Sequence, residues 1–455
     1  MATGGFKARL LLGQSYIPID NGKVTITTTN EEGSTTKETT LTTDSTGLTS
    51  VVEIDTPPLS NSQSPTGGNP YSLLDVLIQV SGYRDMFIKG VQVLPNVTAI
   101  QQCHLTPASK NSRVDEVINI PPNVQVGDYP PKIPEDPEKP LPPTSGLVVL
   151  REAVVPEFIV VHDGSPNSTS GADYTVRFQD YVKNALSSEV FATWPDETLR
   201  ANAICIVSFA LNRVYTEWYR GKGKPYQITN STAFDLAFAY GRNIYDNVER
   251  IVDEVFTTYV KRPSAKQPLL TQFCDGKNVS CPNWLSQWGS KYLGDQGRSY
   301  EQILRYYYGD IAITQASKVA GIPKSYPGYT LTVGSRGEPV RVVQEYLNRI
   351  SQNYPLIKKV AVDGIYGQST AEAVKTFQKI FGLPATGNVD YATWYKISAI
   401  YVAITKIGEL RKDVNNDNKG SLNVSDDFIE CGEGKFISPV FTTNGVVPVF
   451  KYPIG

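Results

Sequence analysis

Residues 174–190, YTVRFQDYVKNALSSEV, carry the reading on which the rest depends. Their spacing predicts a helix from about Thr175 to Val190. Phe178, Val182 and Ala185 lie at steps of four and three, and the next step of four lands on Glu189. The glutamate therefore continues an apolar stripe at the C-terminal end of its helix. Desolvation raises the pKa of a carboxyl group, and the negative helix end adds to that. Glycosidic-bond cleavage needs a carboxylic acid that is still protonated near neutral pH as its general acid. The same pattern also describes a partly buried glutamate held by an arginine such as Arg213 or Arg242.

Outward from this helix, Trp194-Pro195-Asp196-Glu197 places proline and two acids where a second helix would start. That helix is expected to run to about Tyr219. Its apolar residues occur nearly all round, at Ile204, Cys205, Ile206 and Val207, so it belongs in a domain centre. Helical patterns return at 235–260 and 300–308. Between them, Trp284 and Trp288 bracket Ser286 and Gln287. Aromatic faces stack on sugar rings, and amides bind hydroxyl or N-acetyl groups. These residues are thus candidate substrate contacts, while Trp and Tyr are also ordinary core residues.

Residues 1–107 read as β structure, with alternating apolar positions at Phe6, Ala8 and Leu10 and at Leu74, Val76, Ile78 and Val80. A small β-sandwich over residues 1–110 is expected. Residues 111–150 are rich in proline, from Pro121 and Pro122 to Pro142 and Pro143. They read as a semi-rigid linker open to proteases. Residues 326–400 hold a near-repeat, GEPVRVVQEYLNRI and GQSTAEAVKTFQKIFGL, in which Val340, Val343 and Leu347 match Ala373, Phe377 and Phe381 in role. The tail, 401–455, has a polar stretch and a possible strand pair around Ile437–Val440 and Val446–Phe450, with no role assigned.

The chain has 455 residues, 43 Lys+Arg, 45 Asp+Glu and a net charge of −2, which removes a general electrostatic case for nucleic acid. About three domains fit that length. No apolar run approaches the ~18 residues of a membrane span, and the N-terminus lacks a signal-peptide core. With only 2 His, at His104 and His162, multi-His metal sites and His-based nucleophilic triads lose support. Cys103, Cys205, Cys274, Cys281 and Cys431 make an odd count. Cys205 reads as a core thiol, whereas Cys274 and Cys281 could pair, share a metal or do neither.

The segments YTVRFQDYVKNALSSEV, ETLRANAICIVSFALNR and WLSQWGS with QGRSYEQILRYYYG resemble the SpoIID/LytB family of peptidoglycan lytic transglycosylases, over about 151–320. They look most like its SleC-type branch of spore cortex-lytic enzymes. The resemblance puts the catalytic glutamate on Glu189 and substrate contacts on Trp284, Ser286, Gln287 and Trp288. The 326–400 repeat resembles a small three-helix peptidoglycan-binding domain, with Tyr366 in its Asp363–Gly367 turn as a candidate contact. The N-terminal sandwich resembles a transthyretin-like module. Together these imply a multidomain zymogen with an α+β catalytic domain. Its partners would be cortex peptidoglycan with muramic-δ-lactam and an activating subtilisin-like serine protease that cuts between about Leu141 and Val155. It would act in the spore or the extracytoplasmic wall. Zinc is not expected, because Ser280-Cys281-Pro282-Asn283 stands where relatives carry histidine. No cofactor is implied.

Overall fold

The computed structural model describes residues 2–29, 35–108, 116–138, 153–277 and 281–405. The expected strand pair of the tail, Cys431 and most of the expected cleavage region lie outside these residues. Among the described residues the protein is a multidomain α+β assembly with eight α-helices.

The N-terminal region holds eight strands: β1 Ala2–Leu12, β2 Lys23–Thr29, β3 Thr35–Thr42, β4 Val52–Thr56, β5 Ser72–Gln79, β6 Met86–Val93, β7 Thr98–Leu105 and β8 Glu116–Asn119. One sheet has the order β3-β2-β5-β6-β8. The other contains β7-β1-β4, with β1 parallel to β7 and antiparallel to β4. The alternating residues of the sequence reading, Phe6, Ala8, Leu10, Leu74, Val76 and Ile78, are all buried in a common core. Two features depart from a self-contained N-terminal unit ending at residue 110. β8 falls inside the expected linker and pairs in parallel with β6. The outer edge of β7 is covered by Ile244–Tyr245 of the central region, which pair antiparallel with Ile100 and Ala99. An uncovered β7 would present unpaired backbone groups.

The central region contains α1 Phe178–Glu189, α2 Asp196–Tyr215, α3 Asp246–Val255, α4 Gln287–Asp295 and α5 Tyr300–Tyr308. A short strand, Phe158–His162, is flanked by Asp173–Arg177 and Ile228–Thr229. α2 is buried on every side, with Ile204, Cys205, Ile206 and Val207 all at 0% exposure. It stops four residues before the expected end, and Glu217 just beyond takes a positive φ of 50°. The helical spacing read over 235–260 holds only for Asp246–Val255, and Thr258–Lys261 is instead a strand paired antiparallel with Ala312–Gln315. Before Asp246 the chain runs irregularly along α1, with a turn at 240–241, because its backbone groups bond to side chains of that helix. Ala237 N donates to Glu189 Oε1 at 2.7 Å, and Asn184 exchanges bonds with the backbone of Ala239.

The C-terminal region contains α6 Glu338–Ile350, α7 Gln368–Ile380 and α8 Tyr391–Thr405. Its repeat is pinned by two buried glutamines. Gln344 on α6 accepts from Gly364 N at 2.9 Å and donates to Asp363, Ile365 and Thr370. Gln378 on α7 accepts from Gly387 N at 2.8 Å and donates to Thr386, Asn388 and Thr393. Aligning the two glutamines pairs Val340 with Val374, one position from the Ala373 of the sequence reading. Gly364 and Gly387, at φ +74° and +76°, supply the turns that each amide clasps.

The three regions meet on α3. Arg9 from β1, Lys183 from α1 and Lys396 from α8 converge on Glu249 and Asp253, all with side chains at most 5% exposed. Arg9 grips Glu249 through both guanidinium ends, at 2.8 and 3.1 Å. Burial alone would raise the pKa of Glu249, but Arg9, Lys396 and Lys183 outweigh it and hold the carboxyl well below its usual range.

Candidate active site at the end of α1

Glu189 is the last residue of α1 and is 3% exposed. Oε1 accepts from Ala237 N at 2.7 Å, and Oε2 accepts from Gln287 Nε2 at 3.1 Å. Burial pushes its pKa above the ordinary carboxyl value. Lys132 and these two hydrogen bonds oppose the rise without cancelling it. Neither Arg213 nor Arg242 holds the side chain, so the arginine-paired alternative does not describe it.

Gln287 is supplied by the first turn of α4, whose start is fixed by Ser286. The Ser286 hydroxyl accepts from Gly289 N at 3.0 Å, an N-cap bond. Ser286 thus positions Gln287. Trp288 does not offer the open face expected of a sugar platform. It is 8% exposed and packs on Trp194, with ring centroids 4.8 Å apart, and edge-on to Phe191. One residue along the helix from Gln287, which bonds to Glu189, the Trp288 side chain turns into this aromatic cluster. Trp284 is half-buried. Tyr366 lies apart from this site, 1% exposed, with its hydroxyl donating to Gly387 O at 2.8 Å. It is a core residue of the C-terminal region; the exposed residues of its turn are Asp363 and Ile365, with Arg341 of α6 bonded to the turn's backbone.

Sequence reasoning missed Tyr181 and the partners that surround Asp235. Tyr181, Ala185 and Glu189 recur at steps of four, so the stripe contained the signal. The Tyr181 hydroxyl is buried and makes no hydrogen bond among the described residues. Burial, then Asp235 and Glu189, raise its pKa well above the ordinary phenol value. Asp235 is wholly occupied. Oδ1 accepts from Arg213 Nε at 2.7 Å, and Oδ2 accepts from Tyr219, from Thr229 N and from Thr229 Oγ1. Asp196 and Glu197 are engaged by Arg250 and Arg200.

The proline-rich segment is not an open spacer where it is described. Residues 121–138 form a strap against the central region. Asn123 Nδ2 donates to Ser187 O and Val190 O, Val124 N to Ser188 O, and Gln125 Nε2 to Glu189 O. These are the carbonyls that a helix C-terminus leaves without intrahelical partners. Gln125 Nε2 also donates to Gln287 Oε1 at 2.6 Å. Further along, the Lys132 ammonium bonds to Asp235 O and lies over Phe209 and Phe273. Proline cannot donate, so the donors come from the residues between the prolines.

Cys274 and Cys281 form a disulfide, seven residues apart, which resolves the alternatives left open for them. It braces the short pair Phe273–Cys274 and Leu285–Ser286, which leads into α4. Cys205 is a buried thiol, pushed up to about 12 by burial. His104 and His162 are held locally, by Gly13 O and by Asp173 Oδ1. No group of three or more metal-ligating side chains occurs among the described residues. No described helix is long and apolar enough to cross a membrane.

Residues 168–261 match the family model for the stage II sporulation protein SpoIID, a span that includes Glu189, Arg213 and Asp235. Residues 336–397 match the model for a peptidoglycan binding domain. The chain carries a SpoIID domain and a peptidoglycan-binding domain. Together they support a peptidoglycan-acting, sporulation-related function, and the SpoIID match suggests a peptidoglycan-degrading enzyme. No curated protein matches the chain. A 3-chlorocatechol 1,2-dioxygenase from Rhodococcus opacus is 11% identical over 24% of this chain and 61% of its own, with a TM-score of 0.17. An alanine-to-glycine variant of catechol 1,2-dioxygenase from Acinetobacter radioresistens is 14% identical over 26% and 57%, also with a TM-score of 0.17. The chain thus spans about six tenths of each of these structures, and likeness at that level carries no argument.

Proposed function

We propose that the protein is the zymogen of a spore cortex-lytic enzyme, a peptidoglycan lytic transglycosylase of the SleC-type branch. Its substrate is the MurNAc-β-1,4-GlcNAc strand of cortex peptidoglycan, including strands that contain muramic-δ-lactam. The reading is carried by a buried glutamate of raised pKa at the end of the SpoIID-domain helix, with Asp235, two residues before the Ala237 that binds it, already engaged through both oxygens. Glu189 donates its proton to the leaving glycosidic oxygen as the C1–O bond breaks. The resulting carboxylate then takes the proton of the muramoyl C6 hydroxyl, whose oxygen closes on C1. The nucleophile belongs to the substrate, so one carboxyl group serves both steps. The usual hydrolases need a second carboxylate, as the base for water or as the nucleophile. Asp235, with both oxygens occupied, is not available for that role.

The C-terminal domain would hold the enzyme on the insoluble wall. A subtilisin-like serine protease would cut the chain between about Leu141 and Val155 during germination, in the spore or the extracytoplasmic wall. Mass analysis of the products decides the chemistry. 1,6-Anhydromuramoyl ends, lighter by one water than hydrolysis products, are expected. Reducing muramic ends would show that water is the nucleophile, and no cleavage at all would leave a wall-binding protein.

A further inference from the structure

The strap that caps the end of α1 beside Glu189 runs on to Arg213, before Glu138 reaches Arg262. Arg213, on α2, has its side chain at 1% exposure and is fixed from behind. Nε donates to Asp235 Oδ1 at 2.7 Å and Nη2 to Phe234 O at 3.0 Å. Phe209 and Trp218 flank the guanidinium at 4.9 and 5.2 Å. Its outer edge is filled by the strap. Glu135 Oε2 accepts from Nη1 at 3.1 Å, and Oε1 accepts from Nη2 at 2.6 Å. A guanidinium fork set this way is shaped for a carboxylate. Burial opposes its charge, but Asp235 and Glu135 together outweigh that and raise its pKa.

Arg213 and Glu189 are tied to one stretch of chain. Asp235 binds Arg213, and Ala237, two residues on, binds Glu189. Lys132 of the strap feels both Glu189 and Asp235. The strap also places polar groups where a substituted glycan would. The Gln125 amide N–H on Gln287 stands in for an acetamido N–H beside the acid, and the Glu135 carboxylate stands in for an anionic substituent further along. Once the strap leaves, Arg213 keeps Asp235 and Phe234 but loses both bonds on its outer edge. A buried fork without its outer partner is costly, so an anion from the incoming strand is favoured there.

We propose that Arg213 is a carboxylate-binding subsite of the glycan groove, held by Glu135 in the zymogen and by a carboxylate of the muramoyl side chain in the active enzyme. This rests on the glycan reading of the groove. The side-chain carboxylate can come from the stem peptide or, where the peptide has been removed, from the lactyl group.

The test uses the full chain nicked at a protease site introduced between residues 139 and 152, with both pieces retained. Three soluble glycan fragments are compared: peptide carboxylates intact, peptide carboxylates converted to methylamides, and peptides removed to leave the lactyl carboxylate. A bidentate charge-assisted pair predicts a KM about 10-fold or more higher on the methylamide glycan, with kcat nearly unchanged. A low KM on the stripped glycan would assign the lactyl group, and a high one the stem peptide. Arg213→Lys keeps the charge but loses the fork, and should erase most of the discrimination while a thermal midpoint checks its fold. Should that variant fail to fold, the substrate comparison in the wild-type chain still decides. Equal KM on all three glycans overturns the subsite alone. No cleavage of any glycan overturns the transglycosylase reading and the subsite with it.

Discussion

Glu189→Gln removes the transferable proton and keeps the shape, yet the structure predicts that it is not silent for stability. In the intact chain Glu189 Oε1 accepts from Ala237 N, and Oε2 accepts from Gln287 Nε2. Gln287 Oε1 in turn accepts from Gln125 Nε2, which also donates to Glu189 O. An amide at position 189 with its oxygen on Ala237 points its nitrogen at the Gln287 nitrogen. Turning the Gln287 amide moves the clash to Gln125. Turning Gln125 as well sets its oxygen against Glu189 O. Every arrangement leaves one buried polar group without a partner, at about 1–3 kcal/mol. With the strap released, Gln287 can turn without that conflict and the cost should largely vanish. General acid–base catalysis is commonly worth about 10²–10⁴-fold, and here one group serves both steps. We therefore predict at least ~10²-fold slower cortex lysis by the nicked variant, with destabilisation confined to the intact chain. Cortex dye release and denaturant midpoints of both forms measure this. A folded variant that lyses at the wild-type rate would refute the assignment of Glu189. Equal destabilisation of both forms would refute the amide-chain argument.

Glu249→Gln leaves Arg9, Lys183 and Lys396 buried around Asp253 alone, which should cost about 3–5 kcal/mol in thermal or denaturant unfolding. Because the folded pKa of Glu249 is depressed, its contribution is complete above the unfolded value of about 4.3. It fades as pH falls toward the folded value, so wild type and variant should converge in acid; a gap that stays constant down to pH 2 would contradict this. Glu135→Gln in the uncut chain weakens the strap at Arg213 and should raise basal lysis at least ~10-fold; an unchanged rate in a folded variant would show that this contact does not hold the zymogen closed.

The parts of the fold that follow from local periodicity were legible in the sequence. The stripe of Phe178, Val182, Ala185 and Glu189, the all-round burial of α2 and the alternation in β1 and β5 each reflect one element against a core. What was not legible depends on long-range partners. Residues 236–245 have apolar spacing compatible with helix, yet their backbone groups are claimed by Glu189 and Asn184 from α1. The hub on α3 brings together residues as distant as Arg9 and Lys396, which in sequence read as solvated charges. Two tryptophans flanking a Ser-Gln pair fit either a sugar platform or core packing, and only the packing on Trp194 and Phe191 decides for the core at Trp288. Composition identified the proline-rich segment as extended without indicating what it lies against.

That last point bears on how a cut could switch the site on. The strap satisfies the carbonyls of Ser187, Ser188, Glu189 and Val190, the negative end of the helix that carries the acid. It also brings Lys132 close enough to lower the pKa of Glu189. In the uncut chain the strap covers the end of α1, and its Lys132 opposes, without cancelling, the rise that burial gives the Glu189 pKa. On release, the Lys132 contribution is lost, and the helix end is left without the donors that offset its negative field. Both changes favour the protonated acid, while exposure of Glu189 to water removes the burial that raises its pKa most and opposes them until substrate fills the site. The freed carbonyls become acceptors for sugar hydroxyls at the position where the strap had supplied its own donors. On this reading access and acidity are coupled through one segment, and a substrate strand that refills the groove restores burial of Glu189 without restoring the lysine.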